Sequence, residues 1–216
     1  RVNTFLHVNH QQNDPRLGVL LCLNSVGILN SWSRHELLGG SFDYPQMNER
    51  AAQIAPGSEG LLVLPFGNGA ERVLENKNIG ASFHGLNLTR HHQGHVLRAI
   101  QEGIAFAFKY GLEIMEPMGL NLSVIRAGQA NMFLSKVFTQ TLSQISGARI
   151  ELYNTDGSEG AARGAAIGAG YFAQTQDAFQ GLRVLETIEQ PNHENLQEAY
   201  EKWKKELETK LLTHNI

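Results

Sequence analysis

The chain has 216 residues, of which 42% are hydrophobic and 18% are charged. This composition is typical of a globular protein with a sizeable core, and it excludes a collagen, a coiled coil and a disordered charged tail. The net charge is −3, from 18 Lys+Arg against 21 Asp+Glu. No large electrostatic attraction therefore favours nucleic acid or an anionic membrane as a partner.

The most apolar run, residues 17–29, does not predict a membrane span. It has thirteen residues, interrupted by Asn24 and Ser25, whereas a spanning helix needs about 20. Cys22, the only cysteine, lies in this run, which predicts a buried thiol in a reducing compartment, the cytoplasm. The first five residues lack the apolar segment of a signal peptide. Because the chain begins with Arg1, we expect a fragment of a longer polypeptide.

The first quarter of the chain predicts two strands and a helix. Residues 2–8 are rich in β-branched and aromatic side chains and predict a strand. A polar turn follows over residues 9–16. The uninterrupted apolar residues 17–23 predict a strand that is covered on both faces. Ser25, Val26 and Gly27 then turn the chain into a helix near residues 28–38.

The middle of the chain contains the clearest helical pattern. Residues 45–54 predict a short helix, and residues 61–66 predict a strand that leads into a polar loop over residues 67–72. We expect Thr89 to cap a long helix that ends at Pro117 and Gly119. Its apolar residues recur at helical spacing: Val96, Ile100, Ile104, Ala107, Phe108 and Met115.

The remaining segments predict alternating strands and helices. Residues 122–126 and 148–153 predict strands, and a helix between them is expected to open at Asn131 and close at Gly147. Residues 161–173 predict a glycine- and alanine-rich helix. A final amphipathic helix is expected to be capped by Asn192 and supported by a Glu198–Lys202 pair. Its apolar face has Leu196, Ala199, Trp203, Leu207 and Leu211. The order of elements predicts a layered α/β domain.

Two strand–loop–helix junctions, residues 23–27 and 126–131, place small residues at a helix start. Backbone N–H groups at such a start face outward and favour an anion. Small residues also occur at these turns for purely structural reasons, so each junction alone leaves both interpretations open. Together, in one α/β chain, they favour a nucleotide or phosphate site.

Two further patterns have a structural alternative. Gly164, Gly168 and Gly170 imitate a phosphate loop, but they lie inside a predicted helix rather than directly after a strand, so we expect them to serve close helix packing. His91 and His95 could share a helix face and bind zinc, but no carboxylate ligand follows at a suitable spacing. We therefore expect these histidines, with His92, to form a solvated helix start.

Carboxylates in or near loops are candidates for function, although none has a partner in sequence that marks it as a general acid or base. They are Asp14, Asp43, Glu71, Glu102 and Asp156.

A series of motifs in fixed order resembles a known family. The segments are Ser25-Val26-Gly27 with Trp32, residues 60–66 followed by Glu71-Arg72, residues 81–86, residues 95–103, residues 126–133 and residues 160–166. In this order they resemble the C-terminal, nucleotide-carrying domain of the FGGY family of carbohydrate kinases, over about residues 1 to 175. Gln101 departs from the family pattern, in which an apolar residue is usual. Within the family, residues 126–135 and 151–158 are most similar to members that act on xylulose.

The resemblance implies a fold, a reaction and cofactors. The fold is α/β of the actin-like, ribonuclease-H-like ATPase type, here as part of one lobe of a two-lobe kinase. The reaction is transfer of the ATP γ-phosphoryl group to a hydroxyl of a ketopentose such as D-xylulose, with Mg²⁺. Residues 1–190 would form the nucleotide-binding lobe, incomplete at its N-terminal end, and residues 191–216 a C-terminal helix.

The resemblance also implies the site residues. Gly27 would lie at the phosphates, and Ala127, Gly128 and Asn131 would line the adenosine pocket, with Ser25 and Gln129 as further candidates. The catalytic aspartate is expected upstream of this chain, together with the sugar-binding lobe, so we expect no kinase activity from the chain alone. Which sugar is used and whether the protein forms a homodimer stay open. The alternatives are a stand-alone, non-catalytic nucleotide-binding module and a structural domain without a ligand.

Overall fold

The structure, a computed structural model, describes residues 1–7, 10–120, 122–189 and 194–213. The α-helices are α1 (Val26–Trp32), α2 (Tyr44–Ala52), α3 (Gln93–Met115), α4 (Lys136–Ser146), α5 (Gly157–Gly168) and α6 (Glu194–Thr213). The strands are β1 (Asn3–Leu6), β2 (Leu17–Leu20), β3 (Leu62–Leu64), β4 (Ser82–His84), β5 (Val124–Gly128), β6 (Arg149–Tyr153) and β7 (Val184–Ile188).

Helix α3 is the centre of the core and is buried around most of its circumference. Ile100 and Ile104, predicted from their helical spacing, are fully buried. α3 crosses β3 at Gly103, where an added Cβ would lie 2.2 Å from the carbonyl oxygen of Val63. Only glycine permits this approach, so Gly103 sets the distance between α3 and β3.

Helix α6 completes the core by packing against both α3 and β3. The Nε1–H of Trp203 donates to the Val63 carbonyl at 2.7 Å, and the Trp203 ring stacks on Tyr200 with 6.1 Å between centroids. Lys204 reaches Glu113 of α3 at 2.8 Å. The predicted Glu198–Lys202 ion pair is confirmed at 2.7 Å. The predicted cap, Asn192, lies outside the described residues.

The described strands form separate small sheets. β1 pairs antiparallel with β2, and β3 pairs antiparallel with β4. In the third sheet, of order β5-β6-β7, β5 and β6 are parallel and β7 is antiparallel to β6. Because β5 and β6 are parallel, their carboxyl ends lie at one edge, and the loops that follow them meet there.

The prediction of a doubly covered strand over residues 17–23 is wrong. β2 ends at Leu20, and Leu17 is 62% exposed, because β1 is its only strand partner within the described ranges. Leu21 and Leu23 instead pack against the core. Cys22, predicted to be buried, is exposed between them. Val8, the predicted end of the first strand, lies outside the described residues.

Three helix starts differ from the predictions. α3 is capped by His92 rather than Thr89, whose N–H donates to the side chain of Asn87 at 3.0 Å. Asn131 opens a 3₁₀ turn, Asn131–Leu134, and α4 begins after the cap residue Ser135. Gly147, at φ +73°, ends α4 as predicted.

α5 begins earlier than predicted, after Asp156, and ends at Gly168. The expected close packing of its glycines is not observed. No atom of the described residues lies within 4 Å of a Cβ built on Gly164 or Gly168. The same holds for Gly170, just beyond the helix. α5 lies on the surface, has no buried residue and packs on the 3₁₀ turn Thr175–Phe179 that follows it. Within the described ranges, no helix is long and apolar enough to cross a bilayer.

Candidate nucleotide site

The first junction is held by a buried side-chain bracket. The Ser25 hydroxyl donates to Glu71, and the Asn24 N–H donates to the other carboxylate oxygen of Glu71 at 3.0 Å. The Asn68 N–H donates to the Ser25 Oγ at 3.0 Å. Ser25 and Glu71 are both buried. The Ser25 side chain is therefore engaged by the protein itself.

Sequence reasoning included Glu71 as one of several loop carboxylates and in the Glu71-Arg72 motif, but it assigned Glu71 no partner. Its partners lie 46 and 47 residues away along the chain. No local pattern links residues at that separation, so the bracket could only be found in the tertiary structure.

No contact in the described structure requires a glycine at Gly27. It is exposed in the first turn of α1, and no described atom lies within 4 Å of the position that a Cβ would take. Its φ is also outside the left-handed region. The space over Gly27 is open, and close approach of a ligand to its backbone is sterically allowed.

A cavity of about 270 Å³ lies beside this junction, between α1 and the β3–β4 hairpin. Its lining is mainly apolar and includes Trp32, which is 44% exposed. The other lining residues are Ser25, Ile28, Leu29, Pro65, Gly67, Ala81 and Phe83. The cavity thus belongs to the first junction, and residues 127–131 do not contribute to its lining.

The second junction is a tight backbone turn at the carboxyl end of β5. Gly128 pairs with Tyr153 of β6, and the Gln129 N–H donates to the Tyr153 carbonyl at 2.9 Å. A Cβ on Gly128 would lie 2.2 Å from the carbonyl oxygen of Thr155. Glycine is therefore required by the loop that follows β6. Ala127, half-buried, packs against the core on the other face.

Asn131, in this junction, has a side chain that is free to contact a ligand. It is exposed, and its backbone adopts the left-handed conformation at φ +53°, which asparagine tolerates better than most residues. The described structure offers its side chain no hydrogen-bond partner. Gln129, also exposed, precedes it on the same loop.

The loop after β6 is locked by local hydrogen bonds. Asp156 caps α5 by accepting from the Ser158 hydroxyl at 2.7 Å and from the Glu159 N–H at 2.9 Å. The Ser158 hydrogen bond, followed by the Glu159 N–H, holds the pKa of Asp156 below its usual value. Arg163 donates to the Thr155 hydroxyl at 3.0 Å. Because these hydrogen bonds hold the loop in place, the Thr155 carbonyl stays against Gly128.

The histidines at the start of α3 have structural roles. The Nδ1 atoms of His91, His92 and His95 each accept a backbone N–H, at 3.1, 3.2 and 3.3 Å. Neutral imidazoles bonded in this way have their proton on Nε2, so neither ring nitrogen is a free metal ligand. The expectation of a solvated helix start is wrong for His95, which is 4% exposed and lies 3.6 Å from Glu59. In the part of the chain that the structure describes, no cluster of three His, Cys, Asp or Glu could hold a metal ion.

Glu102 fastens α3 to the turn after α2. It accepts from the Nε of Arg98 at 2.6 Å, from the Gly57 N–H at 3.0 Å and from the Ser58 hydroxyl at 2.9 Å. Burial raises the pKa of Glu102, and the adjacent Arg98 opposes that rise. The other loop carboxylates likewise serve a turn or a helix start: Asp14, Asp43 and Asp156.

Comparison with known proteins identifies similar sequences. The model of the C-terminal domain of the FGGY family of carbohydrate kinases matches residues 12–173. A probable L-xylulose kinase of Haemophilus influenzae is 33% identical over 145 residues, which are 66% of this chain and 27% of that protein. A xylulose kinase of the same organism is 32% identical over 152 residues, 69% of this chain and 29% of that protein. The chain spans less than a third of these relatives.

Solved structures share the fold. The xylulose kinase of Rhodospirillum rubrum superposes with a TM-score of 0.75 at 23% identity, over 97% of this chain and 42% of that chain. Plasmodium falciparum glycerol kinase with ADP gives a TM-score of 0.79 at 21% identity, with the same coverage of 97% and 42%. These likenesses confirm the predicted fold class, the actin-like ATPase type, in a partial C-terminal domain.

Proposed function

Because this chain belongs to the FGGY family of carbohydrate kinases, we propose that it supplies the nucleotide-binding part of an ATP-dependent sugar kinase that acts on xylulose. The choice of sugar rests on the relatives named as xylulose kinases. Since the chain spans less than a third of those proteins, the complete reaction is proposed for the polypeptide that contains this chain.

The second junction supports an adenosine pocket. Ligands of open α/β sheets bind beyond the carboxyl ends of the parallel strands, and Gly128 stands at that end of β5. The observation that carries the proposal is Asn131, exposed, left-handed and without a partner among the described residues. In this proposal Asn131 and Gln129 contact the adenosine through their side chains, and Ala127 and Gly128 through their backbone.

The first junction supports a phosphate contact made by backbone. Gly27 has open space above it, whereas the Ser25 hydroxyl is engaged by Glu71. Gly27 and Ser25 would therefore approach the phosphates with main-chain atoms, and the bracket would keep that main chain in place. Preformed N–H donors of this kind need no rearrangement when the anion binds.

Phosphoryl transfer depends on positioning and charge neutralisation more than on covalent participation of the protein. The residues of this chain bind and orient the nucleotide. Mg²⁺, when bound with ATP, would neutralise phosphate charge, but the described residues offer no carboxylate cluster that fits it, so we assign it no ligand here. The acid–base group and the sugar contacts are assigned to the remainder of the polypeptide, and the chain alone is expected to show no xylulose-dependent ADP release.

The test is a calorimetric titration of the full-length protein with Mg·ADP. We expect a dissociation constant at or below about 1 mM, and a severalfold weaker one for Asn131→Gly, which retains the left-handed backbone but removes the side chain. The matched control is Asn76→Gly, because Asn76 is also exposed and left-handed, at φ +63°, but lies outside both junctions. Absence of binding by the full-length protein contradicts the proposal, and equal weakening by both variants removes Asn131 from the site.

A further inference from the structure

Helices α2, α3 and α4 are joined by a chain of polar side chains that runs from the half-buried Asn48 into the core. The Nε2–H of Gln101 in α3 donates to the Oδ1 of Asn48 in α2 at 2.9 Å. The Gln101 Oε1 accepts from the hydroxyl of Ser135, the cap residue of α4. Gln101 and Ser135 are 0% and 2% exposed. Both ends of the Gln101 amide are thus engaged away from water.

Gln101 is fully buried, so an apolar side chain could fill the same space. A buried amide is tolerated only when it is hydrogen-bonded, and it gives little net stability over a well-packed apolar group. Gln101 differs from an apolar residue because its Oε1 accepts from the Ser135 hydroxyl and so orients that side chain.

Ser135 in turn holds the end of the turn that begins at Asn131. Its N–H donates to the Met132 carbonyl at 3.0 Å and closes that turn. On the helix side, its Oγ accepts from the Phe138 N–H at 3.3 Å, and its carbonyl accepts from the Thr139 N–H at 3.0 Å. Ser135 therefore joins the left-handed Asn131 segment to the first turn of α4.

We propose that Gln101 is a positioning residue for the nucleotide, acting through Ser135 on the Asn131 turn. The inference rests on the proposed function above, since it assumes that Asn131 contacts adenosine. With the Gln101 bond present, the turn is held in the conformation that presents the Asn131 side chain. Without it, the Ser135 side chain keeps only its bond from the Phe138 N–H, and the turn occupies that conformation for a smaller fraction of the time. Nucleotide affinity falls by the same fraction.

The first test is Gln101→Leu in the full-length protein, with separate measurement of Mg·ADP and xylulose affinity. Loss of one buried hydrogen bond that orients the site predicts about three- to tenfold weaker Mg·ADP binding, with xylulose affinity unchanged within about twofold. Asn48→Asp retains an acceptor for the Gln101 amide and is expected to bind Mg·ADP as the unmodified protein does. Asn48→Ala removes the acceptor and is expected to give an intermediate loss.

The matched control is Thr141→Val, which also replaces a buried polar group by an apolar one. Thr141 lies in α4, and its hydroxyl has no hydrogen-bond partner in the described structure. We expect unchanged Mg·ADP affinity for this variant. A double-mutant cycle then tests the route: Ser135→Ala weakens Mg·ADP binding, and adding Gln101→Leu to it weakens binding no further, since the two residues act through one hydrogen bond.

The outcomes separate this inference from the function it rests on. If the unmodified protein does not bind Mg·ADP, the proposed function fails and this inference fails with it. If it binds and Gln101→Leu lowers only the unfolding temperature, Gln101 is purely structural. Equal losses for Mg·ADP and xylulose, or additive losses in the cycle, would also overturn the positioning role.

Discussion

The two junctions have similar sequences but different physical causes for their small residues. At the first, Gly27 meets no described atom within 4 Å of its missing Cβ, and the loop is held by side chains through Ser25 and Glu71. At the second, Gly128 lies against the Thr155 carbonyl, and the loop is held by backbone. A glycine in a motif can therefore be needed because a ligand approaches it or because another part of the backbone does. The contacts around the glycine distinguish these two causes.

The largest expected effect separates the two glycines directly. Gly128→Ala places a Cβ 2.2 Å from a backbone oxygen and 3.1 Å from the Asp156 Cα, neither of which can move without the β6–α5 loop. We expect a loss of about 3 kcal/mol in the free energy of unfolding, at the upper end of overpacking costs, measured by urea denaturation. Gly27→Ala, as the control, leaves it unchanged or raises it by up to about 1 kcal/mol. Equal costs for the two variants would remove the distinction.

The next effect concerns the bracket of the first junction. Glu71→Ala leaves the Asn24 N–H and the buried Ser25 hydroxyl without their acceptors, and we expect a loss of about 2 kcal/mol in the free energy of unfolding. Glu71→Gln retains one acceptor oxygen and is expected to lose less. Urea denaturation of both variants gives the comparison. If Glu71→Gln is as unstable as Glu71→Ala, one acceptor oxygen is not enough to hold the loop, and the prediction of a smaller loss is wrong.

The smallest effect is a pH dependence at the second junction. Hydrogen bonds from Ser158 and Glu159 lower the pKa of Asp156 below its usual value of 3.8. The stabilisation is therefore present above pH 3.8 and is lost as the pH falls through the lower pKa of the folded state. Asp156→Asn retains the cap but does not titrate. Between pH 4 and pH 2.5 the urea midpoint should fall more steeply for the unmodified protein than for Asp156→Asn, and parallel curves would contradict this.

Local signals in the sequence predicted the elements well where short-range conformation decides them. Ile100 and Ile104 recur at helical spacing, and both are buried in α3. Gly147 ends α4 with the positive φ that glycine adopts without strain. Thr89 was wrong as a cap because His92 and His95 supply the capping bonds through their ring nitrogens, and no propensity for threonine reveals that.

The sequence by itself determined the six α-helices and five of the seven described strands in their order, the family resemblance and the candidate residues of both junctions, because these depend on neighbours within a few positions. The strands β4 and β7 were not predicted. The tertiary structure decided that Leu17 and Leu20 are exposed, that Gly128 lies against the Thr155 carbonyl, and that Glu71 and Gln101 accept from the hydroxyls of Ser25 and Ser135. The contacts of Gly128, Glu71 and Gln101 join residues that lie 25 or more positions apart in the chain. The exposure of Leu17 and Leu20 depends on which elements pack against β2. Burial and hydrogen bonding are properties of such long-range contacts, so a local pattern can name the residue without giving its role.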